Sequence, residues 1–334
     1  MCEFQLDAQD AKLSEELAAY LPDKVFDAHA HLFLKRDFNL EAAPILGELP
    51  NKGGIDFWRA SLSAQVGEKR VSGGLFFGWP VLPRYDMKER INRANSFLID
   101  ELQQNELSNT RGLLLVANSS NQSEVESLLD EEYIAGFKPY ASLNPECGSA
   151  PDIHEYLPEW VCQLADECGL IVVLHILKPK ALDDDGNITE ISNLCTRYPR
   201  MKLVLAHAGA GFNMYNTIKG CKRLNKFDNL WFDLSAVCES QTIAALIKAF
   251  GSERLLWGTD YPVSLRKGRF ATLGNTFVGI QKDTIKGSVF DAVLLGLENI
   301  RSVLQAAHDC RIRSSEVEGI FYDNAAELLS SKLK

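Results

Sequence analysis

Eight short apolar runs, rich in β-branched residues, alternate along the chain with segments of helical periodicity. Near-continuous apolar runs of this kind are typical of strands that are buried on both faces, as parallel strands are. Between the runs, apolar residues recur every three or four positions, for example in 86–107, 153–168 and 240–250, and this predicts amphipathic helices. The predicted strands are 25–33, 71–79, 111–119, 134–142, 169–176, 201–209, 229–237 and 254–262.

A strand–helix alternation repeated eight times favours an α/β fold of the closed (β/α)8 (TIM) barrel type over a six- or seven-stranded doubly wound sheet. No G-x-G-x-x-G follows a predicted strand, which counts against a dinucleotide-binding open sheet. A barrel uses roughly 250 residues. We assign the remainder to an N-terminal helix, the segment 34–70, the loop after Tyr261 and a C-terminal helical extension over 288–332. The prediction is one domain over 1–334, with a barrel core at about 24–308.

The charge balance narrows the classes of partner. Lys and Arg total 35 and Asp and Glu total 45, which gives a formal net charge of −10. A chain of this charge repels phosphate backbones, and no run of five or more basic residues provides a local exception, so we expect no nucleic-acid partner. No window approaches 18 uninterrupted apolar residues, so we expect no transmembrane helix and no membrane partner.

The composition also indicates a compact protein of a reducing compartment. Apolar residues make up 46% of the chain and charged residues 24%, as in ordinary globular proteins. The acidic beginning of the chain has the pattern of an amphipathic helix rather than of a secretory signal. The eight cysteines contain no C-x-x-C pair, which favours reduced core thiols. We therefore expect a cytoplasmic protein.

Polar residues stand at the predicted carboxyl ends of four strands. Strand 1 ends in D-A-H-A-H (27–31), strand 5 in His175, strand 6 in His207 and strand 8 in Asp260. In a (β/α)8 barrel, the carboxyl ends of the strands surround the active site. We therefore expect these side chains to converge on one axis at the barrel mouth.

The D-A-H-A-H motif is the densest part of this pattern. Side chains two residues apart share one face of a strand, so His29 and His31 are expected to point into the barrel, and Ala28 and Ala30 toward the helices. A single histidine after an apolar strand is more often a hydrogen-bonded core residue, and an aspartate in G-T-D-Y-P is usually a turn residue. Four histidines and one aspartate at strand ends together favour a metal site.

The sequence resembles the amidohydrolase superfamily, and within it the amidohydrolase-related (amidohydrolase 2) branch that includes aminocarboxymuconate-semialdehyde decarboxylase. The resemblance spans nearly the whole chain, with the motifs in the expected order. The motifs are D-A-H-A-H at 27–31, L-H-I around His175, Y-P-R-M-K-L-V-L-A-H-A-G at 198–209, L-L-W-G-T-D-Y-P at 255–262 and D-N-A-A-E-L-L at 323–329.

The resemblance implies a divalent metal in the barrel mouth, most often one zinc ion, with manganese as an alternative. By match, the metal ligands are His29, His31, His175 and Asp260. In relatives with one metal, the residue that matches His207 stands beside the metal-bound water as a polarising or acid/base group. In relatives with two metals it is a ligand.

Three functions remain open. The first is a hydrolase in which metal-activated water attacks an amide, ester or lactone of a small anionic substrate, with Asp260 and His207 as catalytic residues. The second uses the same residues in a metal-dependent decarboxylase, a carbon–carbon lyase. The third is a barrel that binds a metal or a metabolite without turnover. We favour the hydrolase because hydrolysis is the commoner chemistry of the superfamily.

Four further residues are candidates for contact with the substrate. Lys138 lies in G-F-K-P-Y at the end of strand 4 and is expected to face the site. It is either a cation for an anionic substrate or, in a two-metal centre, a carboxylated lysine that bridges a second ion. Arg84 could clamp a carboxylate, and Tyr140 and Tyr261 could line the pocket. The resemblance also allows a homodimer or a higher homo-oligomer.

Overall fold

The computed structural model describes residues 4–41, 47–79, 86–105, 109–129, 131–281 and 291–330. Its central sheet contains eight parallel strands in chain order, one for each predicted apolar run. They are β1 (Val25–Leu34), β2 (Val71–Gly78), β3 (Arg111–Val116), β4 (Ile134–Pro139), β5 (Ile171–Leu174), β6 (Lys202–Leu205), β7 (Leu230–Asp233) and β8 (Leu255–Leu256). A two-residue strand, Lys52–Gly53, pairs antiparallel with the end of β1.

The chain that follows β8 runs beside β1 and closes the sheet. The Ala28 amide donates to the Trp257 carbonyl at 2.9 Å, and the His31 amide donates to the Tyr261 carbonyl at 2.8 Å. In the opposite direction, the Asp260 amide donates to the His29 carbonyl at 2.8 Å. The fold is therefore the predicted TIM-barrel-like α/β fold, and its closure places Asp260 directly against the histidines of β1.

In the described residues one helix precedes β1, at least one lies between each pair of successive strands, as the alternation of patterns predicts, and three follow β8. They are α1 (Ala8–Ala18), α2 (Ile55–Val66), α3 (Met87–Gln103), α4 (Gln122–Leu128), α5 (Glu159–Cys168), α6 (Asp185–Arg197), α7 (Met214–Gly220), α8 (Ser240–Phe250), α9 (Leu295–Cys310), α10 (Ser314–Glu318) and α11 (Asn324–Ser330). In the described part of the chain, none of the helices has the length and apolarity that a membrane crossing requires.

Helix α5 begins later than the periodicity predicts. The apolar pattern starts at 153, but the helix starts at Glu159 and is preceded by a single 3-10 turn, Ile153–Glu155. Pro158 occupies the N-cap position of α5. A proline has no amide hydrogen and its ring collides with the preceding turn, so the helix cannot extend upstream of it.

The barrel interior is packed by side chains from all eight strands. Its cluster includes Phe26, Leu75 and Val173, and Ala325 and Leu328 of α11 pack against them. On β5 and β7 the inward-facing rows continue toward the carboxyl ends, where His175 and Asp233 occupy the next inward positions. The alternation of the strands thus carries polar side chains to the barrel mouth.

Strict alternation fails at one position of β1. Ala30 packs in the helix-facing cluster, as predicted, but Ala28 lies in the interior cluster beside Phe26. The register of β1 against β2 shifts between Asp27 and Ala30. A bulge of this kind changes the face to which the following side chains point. The prediction that Ala28 faces the helices was therefore wrong, while both histidines still face inward.

Candidate metal centre and active site

His29, His31 and Asp260 form a buried cluster at the mouth of the barrel. The Oδ1 atom of Asp260 lies 3.1 Å from His31 Nε2 and 3.4 Å from His29 Nε2. These residues form one of two groups of three in the described chain whose ligand atoms all lie within 4.8 Å of one another. Because imidazole nitrogens and carboxylate oxygens are ligands for zinc and manganese, the donor set fits a divalent cation.

Hydrogen bonds on the outer side of each ring support this interpretation. His29 Nδ1 lies 2.9 Å from Asp233 Oδ2, and His31 Nδ1 lies 3.3 Å from the Gly78 carbonyl oxygen. Both partners only accept, so Nδ1 carries the proton in each ring and Nε2 keeps its lone pair for the cluster. His29 Nε2 is buried and has no hydrogen-bond partner in the described residues. Such a nitrogen is suited to a metal ion.

Burial keeps these imidazoles in the neutral form that a metal requires. It lowers the pKa of His29 to about 4, against the opposing attraction of Asp233. It also lowers the pKa of His31, although Asp260 favours the charged form. For Asp260, burial would raise the pKa, but the neighbouring histidines, His207 foremost, bring it below its usual value. At neutral pH the cluster therefore offers neutral imidazoles and an ionised carboxylate.

His207 joins the cluster through an unusual backbone conformation. Its φ angle of 54° lies in the left-handed region, which a residue with a side chain seldom adopts. The preceding β6 residues alternate so that position 207 would face the helices, and the turn of the backbone brings the ring beside His29 instead, at 4.8 Å between centroids. His207 Nδ1 lies 3.0 Å from the Ser235 carbonyl oxygen, which leaves Nε2 available for chemistry.

His175 lies beside His207 at the barrel mouth. Its ring centroid is 5.1 Å from that of His207, and its backbone carbonyl accepts a hydrogen bond from the Tyr156 hydroxyl at 2.8 Å. It belongs to neither of the two tight groups of three in the described chain. The structure thus brings His175 to the barrel mouth, and its role as the fourth ligand stays a prediction.

Sequence reasoning missed Asp233, which contacts two histidines of the candidate site. This fully buried carboxylate contacts His29 through Oδ2. Its Oδ1 accepts from the His207 amide at 3.1 Å, from the Ser235 amide at 3.1 Å and from the Ser235 hydroxyl at 2.5 Å. The signal was present, because Asp233 follows the apolar run L-W-F at a strand end, as Asp260 follows its own strand.

Lys138 is a fully buried cation at the end of β4. Its Nζ atom has no hydrogen-bond partner in the described residues. It lies 5.1 Å from the ring centroid of Phe77 and 4.7 Å from that of Tyr140. Burial lowers its pKa to about 8, although the charges of Asp233 and Asp260 favour the ammonium form. This environment is suited to an anion that would satisfy the ammonium group.

Aromatic rings surround the histidines. Phe77 lies 4.8 Å from His29 and 4.9 Å from His31, between ring centroids, and Trp79 stacks on His31 at 6.1 Å. Tyr140 is partly buried and lies 6.4 Å from His31. Burial, followed by the charges of Asp260 and Asp233, raises the pKa of Tyr140 well above its usual value, so its hydroxyl stays protonated.

Tyr261 and Arg84 are the remaining two candidates for contact with the substrate. Tyr261 is buried and packs its ring against Phe33 at 6.1 Å and Phe57 at 6.3 Å, while its backbone carbonyl helps to close the barrel. These contacts give it a place in the packing around β1, and its contact with substrate stays a prediction. Arg84 lies outside the described residues.

A sequence profile of the amidohydrolase family matches residues 26–330, which is nearly the whole chain. The chain belongs to the amidohydrolase family. This confirms the resemblance that the strand-end motifs indicate. A comparison with curated proteins finds no match.

Several solved structures are similar to this chain over most of its length. An amidohydrolase from Burkholderia multivorans with bound zinc has a TM-score of 0.60 and 14% identity, and the match covers 92% of this chain and 99% of that one. A probable 2-pyrone-4,6-dicarboxylic acid hydrolase from Acinetobacter baumannii has a TM-score of 0.57 and 17% identity, covering 92% and 99%. A dihydroxybenzoic acid decarboxylase from Polaromonas sp. JS666, with bound manganese and 2-nitroresorcinol, has a TM-score of 0.57 and 16% identity, covering 92% and 97%. At these identities the likeness supports the fold, and both hydrolases and decarboxylases share it.

Proposed function

We propose that this amidohydrolase is a metal-dependent hydrolase that cleaves an amide, ester or lactone bond of a small anionic substrate. The observation that carries the proposal is the convergence of His29 Nε2 and His31 Nε2 on Asp260 Oδ1, at 3.4 and 3.1 Å, with each Nδ1 tied to an acceptor behind it. Two buried imidazoles beside a carboxylate contribute little to the hydrophobic packing of a barrel, whereas a metal site accounts for all three side chains.

The residues that would hold the ion are His29, His31 and Asp260, with His175 as the fourth ligand. Zinc is our first choice and manganese the second, because the same donor types suit both metals. A bound divalent ion lowers the pKa of water and polarises a carbonyl or lactone oxygen.

The chain's own groups supply the proton transfers. Asp260 is ionised and buried, so it can accept a proton from the attacking water and return it to the leaving group. His207 has its Nδ1 engaged with Ser235, so Nε2 is the atom that would stabilise the developing oxyanion or move a proton. In the overall reaction, water adds OH to the acyl carbon and H to the departing nitrogen or oxygen.

Lys138 gives the site its preference for anions. Its buried ammonium has no hydrogen-bond acceptor among the residues that the structure describes, and the rings of Phe77 and Tyr140 lie beside it. A substrate carboxylate placed here would form a charge-assisted hydrogen bond in a medium of low dielectric constant, where such bonds are strong.

Decarboxylation is the second candidate, and the aromatic surroundings favour it. A planar carboxylic acid could lie against Phe77 and Trp79 while the ionic groups hold its carboxylate. Loss of carbon dioxide would break the carbon–carbon bond and leave the electron pair on the ring carbon, which then takes a proton from His207, or from Asp260 after that carboxylate has accepted one from water. The structural likeness to a decarboxylase is compatible with this reaction and does not choose it over hydrolysis.

Product analysis tests the proposal. The purified protein, loaded with zinc or with manganese, would be given small anionic lactones, esters and amides, and in parallel aromatic carboxylates. Hydrolytic product without carbon dioxide supports the hydrolase, and released bicarbonate establishes the lyase.

The variant His207→Asn should keep its metal and lose turnover. His154→Asn is the matched control, because His154 is an exposed histidine paired with Glu190. Turnover retained by His207→Asn would overturn our assignment of His207.

A further inference from the structure

The buried carboxylate of Asp233 contacts two histidines of the candidate site. One is His29, a proposed metal ligand, and the other is His207, which is proposed for proton transfer. Asp233 has no exposed surface, and its two oxygens point in different directions. Oδ2 lies 2.9 Å from His29 Nδ1. Oδ1 accepts three donors, namely the His207 amide, the Ser235 amide and the Ser235 hydroxyl. Each of the two histidines is therefore held by a separate oxygen.

We infer that Asp233 is a positioning residue that fixes the tautomer of His29 with one oxygen and the strained backbone of His207 with the other. The inference rests on the proposed metal site, because only a ligand role makes the proton position of His29 matter. A carboxylate behind a ligating imidazole holds its Nδ1 proton and leaves Nε2 free for the ion. Asp233 is in the right place to do this for His29.

A second contact links Asp233 to His207. The left-handed φ of His207 is unfavourable in isolation and persists only where surrounding contacts determine it. The 3.1 Å hydrogen bond from the His207 amide to Asp233 Oδ1 is one such contact. Ser235, which Oδ1 also binds through two groups, presents its carbonyl to His207 Nδ1 at 3.0 Å. Oδ1 thus holds the His207 backbone directly and its ring through Ser235.

An alternative is that Asp233 is itself a ligand, since His29, His207 and Asp233 form the second tight group of three in the described chain. Its hydrogen bonds argue against this role. Three donors engage Oδ1, and His29 Nδ1 engages Oδ2. A ligand oxygen would have to give up these partners. The geometry is that of a residue behind the ligands.

The substitution Asp233→Asn separates the two roles of the carboxylate. The three donors at Oδ1 require an acceptor, so the amide oxygen of the new side chain takes that position and its NH2 group faces His29. An NH2 group donates, so His29 Nδ1 must become the acceptor and its proton must move to Nε2, where it blocks metal binding. His207 keeps its acceptor. The substitution Asp233→Ala removes both contacts, and Ser235→Ala leaves Oδ2 and His29 untouched.

The test measures zinc affinity by chelator competition and the histidine tautomers by 15N NMR, with His29 assigned from a His29→Gln spectrum. We expect Asp233→Asn to invert the His29 tautomer and to weaken zinc binding roughly 10–100-fold, the usual cost of losing such a partner. Ser235→Ala should retain the His29 tautomer. The Nδ1–H signal of His207 should persist in Asp233→Asn and disappear in Asp233→Ala.

Three results would overturn the inference. They are a proton on Nε2 of His29 in the metal-free wild type, zinc affinity of Asp233→Asn within about twofold of wild type, or two zinc ions of which one is lost with Asp233. If Asp233→Asn does not fold, the His29 tautomer of the metal-free wild type still tests the inference. If the wild type binds no metal, the proposed function fails, while the tautomer measurement still tests the role of Asp233.

Discussion

His31 Nε2 lies 3.1 Å from Asp260 Oδ1, although 229 residues separate the two along the chain. The closing hydrogen bonds between β1 and the segment after β8 bring them together, because the Asp260 amide binds the His29 carbonyl and the His31 amide binds the Tyr261 carbonyl. The hydrogen bonds that close the barrel therefore also bring the candidate metal ligands of β1 and Asp260 together.

The first prediction concerns metal content. We expect one zinc or manganese ion per chain in wild type, measured by elemental analysis after purification without chelators. Asp260→Ala should lower metal affinity by more than about tenfold, since even partners of metal ligands are worth roughly 10–100-fold. His154→Asn should match wild type. Two ions per chain would favour a carboxylated Lys138, and an absence of metal would contradict the proposed centre.

The second prediction concerns the buried charge of Lys138. Its pKa is about 8 in the folded protein against an ordinary value of 10.5. Between these values the unfolded chain binds more protons than the folded one, so the free energy of unfolding rises with pH through this window. The full gain is roughly 3 kcal/mol by the pKa difference. Urea unfolding of the metal-free protein at pH 7, 8.5 and 10 should show it.

Lys138→Met provides the matching variant for that measurement. Methionine fills a similar volume without a charge, so we expect the variant to be more stable than wild type at pH 7 and to lose this part of the pH slope. Lys178→Met, at a lysine paired with Asp152, should keep the slope. A Lys138→Met variant that is less stable than wild type at pH 7 would show that the ammonium group has a partner or a modification.

The alternation of apolar runs and helical segments was sufficient to predict the eight strands and their order. It also placed His29, His31, His207 and Asp260 near one another, because the carboxyl ends of parallel strands share one end of a barrel. Each of these residues carries a recognisable local signal, a polar side chain at the end of a buried strand. The sequence pattern was therefore informative wherever function followed from strand position.

What the sequence did not predict depends on backbone geometry or on contacts between residues that are far apart along the chain. Ala28 turned inward because of a register shift that no periodicity reports. The ring of His207 reaches the cluster through a left-handed residue, which the sequence does not announce by a glycine. Asp233 was missed although it ends β7, because its role depends on hydrogen bonds to His29 and Ser235 that only the folded chain reveals.

The third prediction concerns Asp27, which anchors the motif of β1. Its carboxylate accepts from Trp58 Nε1 at 2.8 Å and from the Thr259 amide and hydroxyl at 2.8 and 2.5 Å. Burial raises its pKa to about 6 despite these donors. The folded state therefore binds more protons than the unfolded one between about pH 4 and 6, and the free energy of unfolding falls as pH rises through that window.

Trp58→Phe tests this network. The variant removes one donor, raises the pKa of Asp27 further and leaves a buried carboxylate oxygen less satisfied, at a cost of about 1–3 kcal/mol. The loss should be larger at pH 7, where Asp27 is ionised, than at pH 4.5. Urea unfolding at both pH values measures the difference. Trp160→Phe, at a half-buried tryptophan elsewhere, should show equal losses at the two pH values. Equal losses for Trp58→Phe would contradict the prediction.

The last prediction concerns the antiparallel hairpin of β9 (Arg269–Leu273) and β10 (Thr276–Ile280), which lies over the loop that follows His207. Asn213 Nδ2 donates to the carbonyls of Gly274 and Thr276 at 3.0 and 2.7 Å. Phe212, next to it, lies 5.4 Å from the His207 ring and 4.9 Å from that of Phe277. The hairpin is thus connected to the proposed acid/base residue through two adjacent side chains.

Asn213→Ala should loosen the hairpin and leave the barrel folded. Loss of two partly buried hydrogen bonds is worth roughly 1–3 kcal/mol, so hairpin amides should exchange with deuterium about 5- to 150-fold faster. Asn229→Ala is the matched control, because Asn229 Nδ2 also donates to carbonyls, those of Tyr198 and Met201 among them, at the opposite end of the barrel. It should lower stability without changing exchange in the hairpin. Faster hairpin exchange in both variants would mean that Asn213 acts only through global stability, and its proposed role as a local anchor of the hairpin would then be wrong.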